Sequence, residues 1–269
     1  MQDVCKFQYR ECGLVLIEVM IAISIGLLVI SVLMEIYITC QKSLALETAL
    51  NTIQDNAKTI NFIFQSEINK AGNIGCARLT RDFPLISPQE YPFNIANKMI
   101  SPEENKITIR YAEYPNNILL QATNSDNRIY INKMVFFKPG DILLISDCKK
   151  AEIVIAAQVK KIHDNLEITL TSPLHYRYEK YAEVSRYVSN TFYSSENSLF
   201  LEDIHRHKSI ILSGINHMKI QYTIKNGDLI RDVPWNEISD WRNILGIAIE
   251  YQLTSGSLKK NWYFYKAVS

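Results

Sequence analysis

The residues with the spacing of metal ligands are His205 and His207, in the segment Leu201–His207. Side chains two residues apart on a strand share a face, and Glu202 and Asp203 lie close by in the sequence. A zinc site needs at least three protein ligands, and no third ligand with suitable spacing is present. We therefore expect both histidines to face solvent at a sheet edge, and we expect no metal and no cofactor.

Sequence motifs for catalysis are missing from this chain. It contains no G-x-S-x-G, H-E-x-x-H or phosphate-binding P-loop segment. A net charge of +1, with 21% charged residues, provides no basic field for nucleic acid. We expect no catalytic residues and no nucleic-acid partner.

Glu18 is the only ionisable residue in the apolar run from Gly13 to Met34. As a helix this run would be about 30 Å long, enough to cross the hydrocarbon core of a bilayer. A charge there costs about 2.5–3.5 kcal/mol at the bilayer centre, so we expect Glu18 to have a partner. Ala22 and Gly26 form a small-xxx-small pair that would let another helix approach closely, although membrane helices also tolerate glycine without such packing.

Gly13 at the polar–apolar junction, with Glu18 five residues later, resembles the class III signal of type IV prepilins. The resemblance implies that prepilin peptidase removes residues 1–13 as a leader by cutting between Gly13 and Leu14. The new amino terminus of Leu14 would then be methylated. Leu14 stands where phenylalanine is usual in the family, and Val15 where threonine is common. Both residues keep the site apolar.

Three other kinds of N-terminal segment, a secretory signal, a lipoprotein signal and a plain membrane anchor, would account for fewer of these features. A secretory signal has an apolar region of about 7–15 residues before a small-residue cleavage site, whereas this run is longer and the segment 35–40 offers no such site. A lipoprotein signal would use Cys40, but Thr39 is a poor residue in front of it. A plain membrane anchor explains the length of the run but not Glu18.

The apolar pattern continues past the membrane-length run as a stripe with spacings of three and four. Its members are Leu46, Ala49, Leu50, Ile53, Ala57, Ile60, Phe64 and Ile68. No proline occurs between Leu14 and Ala71, and Gly72 is typical of a helix stop. We predict one helix about 85 Å long, membrane-spanning over 14–34 and amphipathic over 35–72. Its stripe must be covered by the domain that follows.

Beyond Cys76 the pattern changes to alternation rich in β-branched residues. We predict strands over 106–111, 129–135, 141–146, 152–159, 167–170, 184–192, 198–201, 217–224, 243–253 and 262–268. Asn226-Gly227 marks a hairpin tip, and the proline-bearing segment 80–98 should be irregular. The predicted fold class is α+β, with the long N-terminal helix packed on a largely antiparallel β-sheet domain over 73–269.

Several later segments are similar to PilW-type minor pilins. The matches are Ala71–Cys76, Gly140–Cys148 and Leu212–Tyr222, which resemble the family segments A-G-Y-x-G-C, G-D-x-L-x-x-x-D-C and L-x-x-G-V-x-x-L-x-x-x-Y. The stretches 240–244 and 262–268 resemble its closing strands. Asn73-Ile74 departs from the usual aromatic residue, and the segment 80–133 matches nothing in the family.

The resemblance implies a pilin-like fold and a non-catalytic role at the start of type IV pilus assembly. The partners would be other minor pilins, the major pilin, prepilin peptidase, the inner-membrane assembly platform and a large tip adhesin. In such pili, which serve cell adhesion and twitching motility, the residue matching Glu18 would neutralise the N-terminal amine of a neighbouring subunit. The alternatives are a minor pseudopilin of a type II secretion system, of the GspJ kind, and a membrane-tethered binding domain.

Orientation follows from the basic residues around the apolar run. Lys6 and Arg10 precede it and Lys42 follows it, which favours a cytoplasmic N-terminus. The resemblance then implies a single-pass inner-membrane protein whose C-terminal domain is periplasmic and later reaches the pilus tip.

The cysteines predict one disulfide. Cys5 and Cys12 lie in the expected leader, which leaves Cys40, Cys76 and Cys148 for an oxidising compartment. On an unbroken helix Cys40 and Cys76 would be about 50 Å apart, whereas a disulfide requires a Cα–Cα distance of roughly 4.4–6.8 Å. We therefore predict a Cys76–Cys148 bond, which closes a loop of about seventy residues and contributes about 4 kcal/mol. Cys40 should stay unpaired.

Overall fold

The computed structural model describes residues 5–80, 83–88, 99–123, 127–226, 229–238 and 244–268. One long helix, α1, extends over Cys5–Lys70. The strands that follow it are β1 (Leu85–Ile86), β2 (Ile100–Glu103), β3 (Lys106–Ala112), β4 (Asn117–Ile118), β5 (Arg128–Asn132), β6 (Ile142–Ser146), β7 (Ala151–Ile162), β8 (Asn165–Leu170), β9 (Glu183–Ser195), β10 (Ser198–Glu202), β11 (Lys208–Ser213), β12 (Ile215–Asn226), β13 (Leu229–Val233), β14 (Ile244–Ser255) and β15 (Leu258–Ala267). By internal contacts the chain divides into two units, Met1–Thr52 and Ile53–Ser269.

The predicted helix is confirmed, and it ends at Lys70, one residue before the predicted Ala71. In the uncleaved chain the helix also includes the described residues before Leu14, from Cys5 onwards. Neither glycine nor proline interrupts the residues before Gly13, so helical geometry extends through them. Gly72 has a φ of 72°, in the left-handed region, and its N–H donates to the carbonyl of Arg110 on β3 at 2.8 Å. The backbone thus leaves the helix here and joins the sheet.

The strands form two sheets. The larger has the order β11-β10-β9-β6-β7-β8-β5 along its main path, and β3 pairs with both β2 and β9. The smaller has the order β13-β12-β14-β15 and is antiparallel throughout. In the larger sheet β1 pairs with β7 in parallel, whereas β9 pairs antiparallel with β3, β6 and β10. The predicted α+β class with a largely antiparallel sheet is confirmed.

The strands that the sequence missed are short or lie at edges. β1 and β4 have two residues each, β2 contains Pro102, and β11 and β13 are edge strands with mostly exposed side chains. Such strands lack the alternation that marks a half-buried strand. The predicted hairpin flanks pair, as Asn226 opposite Leu229. The tip residues 227–228 and most of the expected irregular segment, 89–98, lie outside the described residues.

The last turns of α1 are built into the core between residues of both sheets. Ile53, Ala57, Ile60, Phe64 and Ile68 are buried in one cluster with side chains of both sheets. The Phe64 ring centroid lies 5.6 Å from that of Phe192 on β9 and 6.0 Å from that of Phe264 on β15. The predicted stripe is therefore confirmed from Ile53 onwards. Before Ile53, Ala49 and Leu50 are partly buried, whereas the placement of Leu46 was wrong, because its side chain is 52% exposed.

The predicted disulfide is present. Cys76 and Cys148 are bonded with a Cα–Cα distance of 5.2 Å and a sequence separation of 72. It joins the segment that leaves α1 to the turn that leaves β6. Cys40 is unpaired and exposed.

Replacing Phe64 with alanine should lower the free energy of unfolding by about 3–5 kcal/mol, because the change leaves a cavity between the two sheets. Phe62 provides the matched control, since it lies on the same helix but is 74% exposed. Phe62→Ala should cost less than about 0.5 kcal/mol. The measurement is urea unfolding of the full chain in detergent micelles, followed by tryptophan fluorescence. Equal losses in the two variants would contradict the placement of the core.

Candidate functional site

Residues 15–38 of α1 present an uncovered and largely apolar surface. Every large apolar side chain from Val15 to Ile38 is exposed, with fractions between 48% and 67%. Consecutive residues such as Leu27 and Leu28 are about 100° apart around a helix, so the surface is apolar on all sides. The helix is long and apolar enough to span a membrane. Such a surface requires lipid or other helices around it.

The serine and threonine hydroxyls over residues 24–39 are satisfied within the helix itself. The side chains of Ser24, Ser31 and Thr39 donate to the carbonyls of Met20, Leu27 and Glu35 at 2.7, 2.5 and 2.8 Å. Bonding to the carbonyl four residues earlier lets a hydroxyl enter an apolar environment without an outside partner. The carboxyl group of Glu18 has no such solution.

Glu18 lies on the exposed surface of this segment. Across the described residues, no ion pair or hydrogen bond includes its carboxyl group. Helical geometry places Glu18, Ala22 and Gly26 within about 80° of one another around the axis. Among the described atoms, nothing lies within 4 Å of the position that a Cβ on Gly26 would take. An acid and two small residues thus share a face that a second helix can approach closely.

The other end of the helix is held by a buried carboxylate, Glu67. Its oxygens accept hydrogen bonds from Lys70 Nζ at 2.8 Å, from Asn190 Nδ2 at 2.9 Å, and from the Tyr111 hydroxyl at 3.1 and 3.2 Å. Burial, reinforced by the Glu67 charge and hydrogen bond, raises the pKa of the Tyr111 hydroxyl well above its ordinary value. That hydroxyl therefore stays protonated and donates. Because Tyr111 is on β3 and Asn190 on β9, this cluster joins α1 to the larger sheet.

A second polar contact joins α1 to the smaller sheet. The Tyr251 hydroxyl of β14 donates to Asn61 Oδ1 at 2.8 Å. Burial raises the pKa of Tyr251 to about 12. After the helix, the Arg78 guanidinium donates to the Asn69 carbonyl at 2.8 Å. The end of α1 is thus fixed to both sheets by directional contacts as well as by packing.

The remaining predicted site residues are dispersed. Gly13 and Leu14 lie within α1, but their surroundings are outside the described part of the chain. His205 and His207 lie in the turn between β10 and β11 rather than on a strand, and His207 Nδ1 is 3.1 Å from Asp203 Oδ2. Among the described residues, no group of three or more His, Cys, Asp or Glu side chains could hold a metal ion.

The Glu67 cluster is not evident from the sequence. A signal for it exists, because Glu67 directly precedes Ile68 and follows Phe64 by one helical turn, at the border of the apolar stripe. An acid at such a border can be a surface residue or a buried one. Two of the donors to Glu67, Tyr111 and Asn190, come from β3 and β9, whose positions depend on the tertiary fold.

This chain shows no match to known proteins. No family model matches its sequence, and neither a curated protein nor a solved structure matches it. The family resemblance of the N-terminal segment and the cysteine segments therefore stays a prediction.

Glu67→Ala should lower the free energy of unfolding by about 1–3 kcal/mol, because it removes the acceptor of the buried Tyr111 hydroxyl and one acceptor of the half-buried Asn190 amide. The control is Lys70→Met, which removes the partner whose side chain is 46% exposed. That change should cost less than about 1 kcal/mol. Urea unfolding of the full chain in detergent measures both. A larger loss from Lys70→Met would mean that the cluster is held by the ion pair alone.

Proposed function

We propose that this chain is a PilW-like minor pilin that helps to initiate type IV pilus assembly. The observation that carries the proposal is Glu18, the one acid in the exposed apolar run 15–34 of a helix whose last turns are anchored in a β domain. A helix that served only as a tether would need the apolar length and the anchor. It would not need an acid on a face with Ala22 and Gly26.

The chemistry of that acid suggests how subunits find their register. A carboxylate in an apolar bundle is costly unless it meets a cation or takes up a proton. Cleavage after Gly13 would create a new amine on Leu14, one helical turn before Glu18. In a bundle of such helices, the amine of one subunit can pair with Glu18 of the next. Pairing at this depth favours one axial offset between neighbours, because any other offset leaves both charges buried and unpaired.

The anchored end of α1 supports the same role. When the membrane helices of neighbouring subunits pack into a bundle, each helix must hold its own β domain in a fixed position. This requires a rigid attachment between the helix and the domain. Phe64, Glu67 and Tyr251 attach α1 to both sheets within its last few turns. The β domain can then present its sides to other pilin subunits while the apolar segments pack together.

Replacing Gly13 with valine should block removal of the leader. The native protein purified from membranes should begin at Leu14 with a methylated amine, and the Gly13→Val variant should retain residues 1–13. Gly26→Ala is the control, because it changes a glycine of the same helix away from the junction, and it should be processed normally. Mass spectrometry of the intact proteins and of their N-terminal peptides measures this. A native protein that still begins at Met1 would instead favour a membrane-tethered binding domain.

Glu18→Ala should insert and be processed normally but fail to assemble. Loss of a buried charge partner costs about 3–5 kcal/mol, so we expect the number of pili to fall at least about tenfold. Glu35→Ala is the matched control, because Glu35 is an exposed acid of the same helix beyond the apolar run. Electron microscopy of cells counts the pili, and immunoblots of membranes check insertion.

The alternative assembly role, that of a minor pseudopilin of a type II secretion system, is tested in the same bacterial background. Deleting the gene should reduce piliation while type II secretion of extracellular enzymes continues. Normal pili with lost secretion would assign the chain to the pseudopilins. Normal pilus numbers in the Glu18→Ala strain would contradict the proposed register.

A further inference from the structure

A polar groove lies on the face of the larger sheet that points away from α1. On β3 and β9, Ile109 and Phe192 point into the core with the helix, whereas Thr108 and Thr191 point to the opposite side. The groove has a volume of about 140 Å³. Its charged lining residues are Glu103, Lys106, Arg110, Glu202, Asp203 and Arg206.

The floor of the groove is a row of hydrogen-bonding groups. The hydroxyl oxygens of Thr108 and Thr191 are 2.8 Å apart, which joins β3 to β9 through their side chains. Arg110 is only 4% exposed, and its guanidinium donates to the Ser101 hydroxyl at 2.7 Å. The floor therefore holds donors and acceptors in fixed positions.

One wall is the turn between β10 and β11, and Asp203 gives it a fixed shape. Asp203 Oδ1 accepts the backbone N–H groups of His205 and His207, both at 2.9 Å. Partial burial acts to raise the pKa of the Asp203 carboxyl, but the hydrogen bonds and charge of His207 and the N–H of His205 outweigh it and lower that pKa. The Asp203 carboxylate is thus engaged in hydrogen bonds within the turn, whereas the neighbouring Glu202 lines the groove.

An aromatic surface borders the groove on the same face of the sheet. The rings of Tyr193 and Phe200 are stacked, with centroids 5.5 Å apart and planes 11° apart. Lys106, which also lines the groove, places its Nζ 5.4 Å from the Tyr193 centroid. Strand pairing puts Tyr193 and Phe200 in the row next to Thr191 and Glu202, about 7 Å away. Both rings are partly exposed.

We infer that this groove and the adjoining aromatic pair form a binding site for a neutral saccharide. The charged lining has as many carboxylates as cations, so it offers no net attraction to a phosphate or a metal ion. Sugar hydroxyls both donate and accept, which suits a lining that includes the Glu103 and Glu202 carboxylates, the Lys106 ammonium group and threonine hydroxyls. Lys106 and Phe200 flank the Tyr193 ring on its two sides, so the C–H face of a second ring of the same ligand can lie on the outer face of Phe200. This inference does not depend on the assembly role.

Binding is tested on the full chain in a polyoxyethylene detergent, which carries no sugar headgroup. The probes are an array of neutral glycans, followed by saturation-transfer NMR with the neutral disaccharides maltose, cellobiose and lactose. Glycylglycine and inorganic phosphate serve as zwitterionic and anionic competitors. We expect neutral glycans to bind and neither competitor to displace them.

Glu202→Gln and Phe200→Ala should each weaken that binding at least about tenfold, through a lost charged acceptor and a lost stacking face. The matched controls are Glu196→Gln, an exposed acid in the turn between β9 and β10, and Tyr263→Ala, an exposed tyrosine on the smaller sheet. Both should bind as the native chain does. If Phe200→Ala does not fold, Lys106→Gln changes the same surface at an exposed position. The inference is overturned if no neutral glycan binds, if glycylglycine or phosphate binds instead, or if the controls weaken binding as much as the groove variants.

Discussion

The helix α1 has to be stable in two different surroundings. Its apolar run, 15–34, has apolar side chains on every side, and nothing in the described part of the chain covers them, whereas its last turns are apolar along one stripe that the β domain buries. The hydrophobic effect acts on both parts, but the second part is satisfied within the chain and the first is not. The β domain can therefore fold around residues 53–70 while residues 15–38 still require lipid or other helices.

Two acids on this helix illustrate that difference. Glu67 enters the protein interior together with donors from Lys70, Tyr111 and Asn190, so its desolvation is compensated inside one chain. Glu18 has no corresponding donors in the described part of the chain. The same chemical group thus stabilises the fold at one end of the helix and is left for another molecule at the other.

Features that depend on interactions within one segment could be predicted from the sequence, whereas features that depend on contacts between distant segments could not. The helix, the stripe from Ile53 and most long strands depend on periodicity within one segment, and periodicity is visible in a sequence. The Cys76–Cys148 bond followed from excluding Cys40 by helix length. Leu46 was placed in the stripe because its spacing fits, and only the extent of the β domain shows where burial stops.

The groove could not be predicted from the sequence for a related reason. Thr108, Thr191 and Glu202 come from three strands, and nothing in the local sequence fixes the register that brings them into one row. Even if every strand were predicted correctly, the sequence would not show which side chains of neighbouring strands lie on the same face of the sheet. Tyr193 and Phe200 would likewise pass for ordinary residues of a β-hairpin.

The position of Phe64 between β9 and β15 has a mechanical consequence. A load applied along α1 reaches both sheets, through the buried stripe with Phe64 between Phe192 and Phe264, and through the Glu67 and Tyr251 contacts. Extraction of the helix must therefore break both attachments at once, whereas a helix lying on a single sheet could be peeled away one turn at a time.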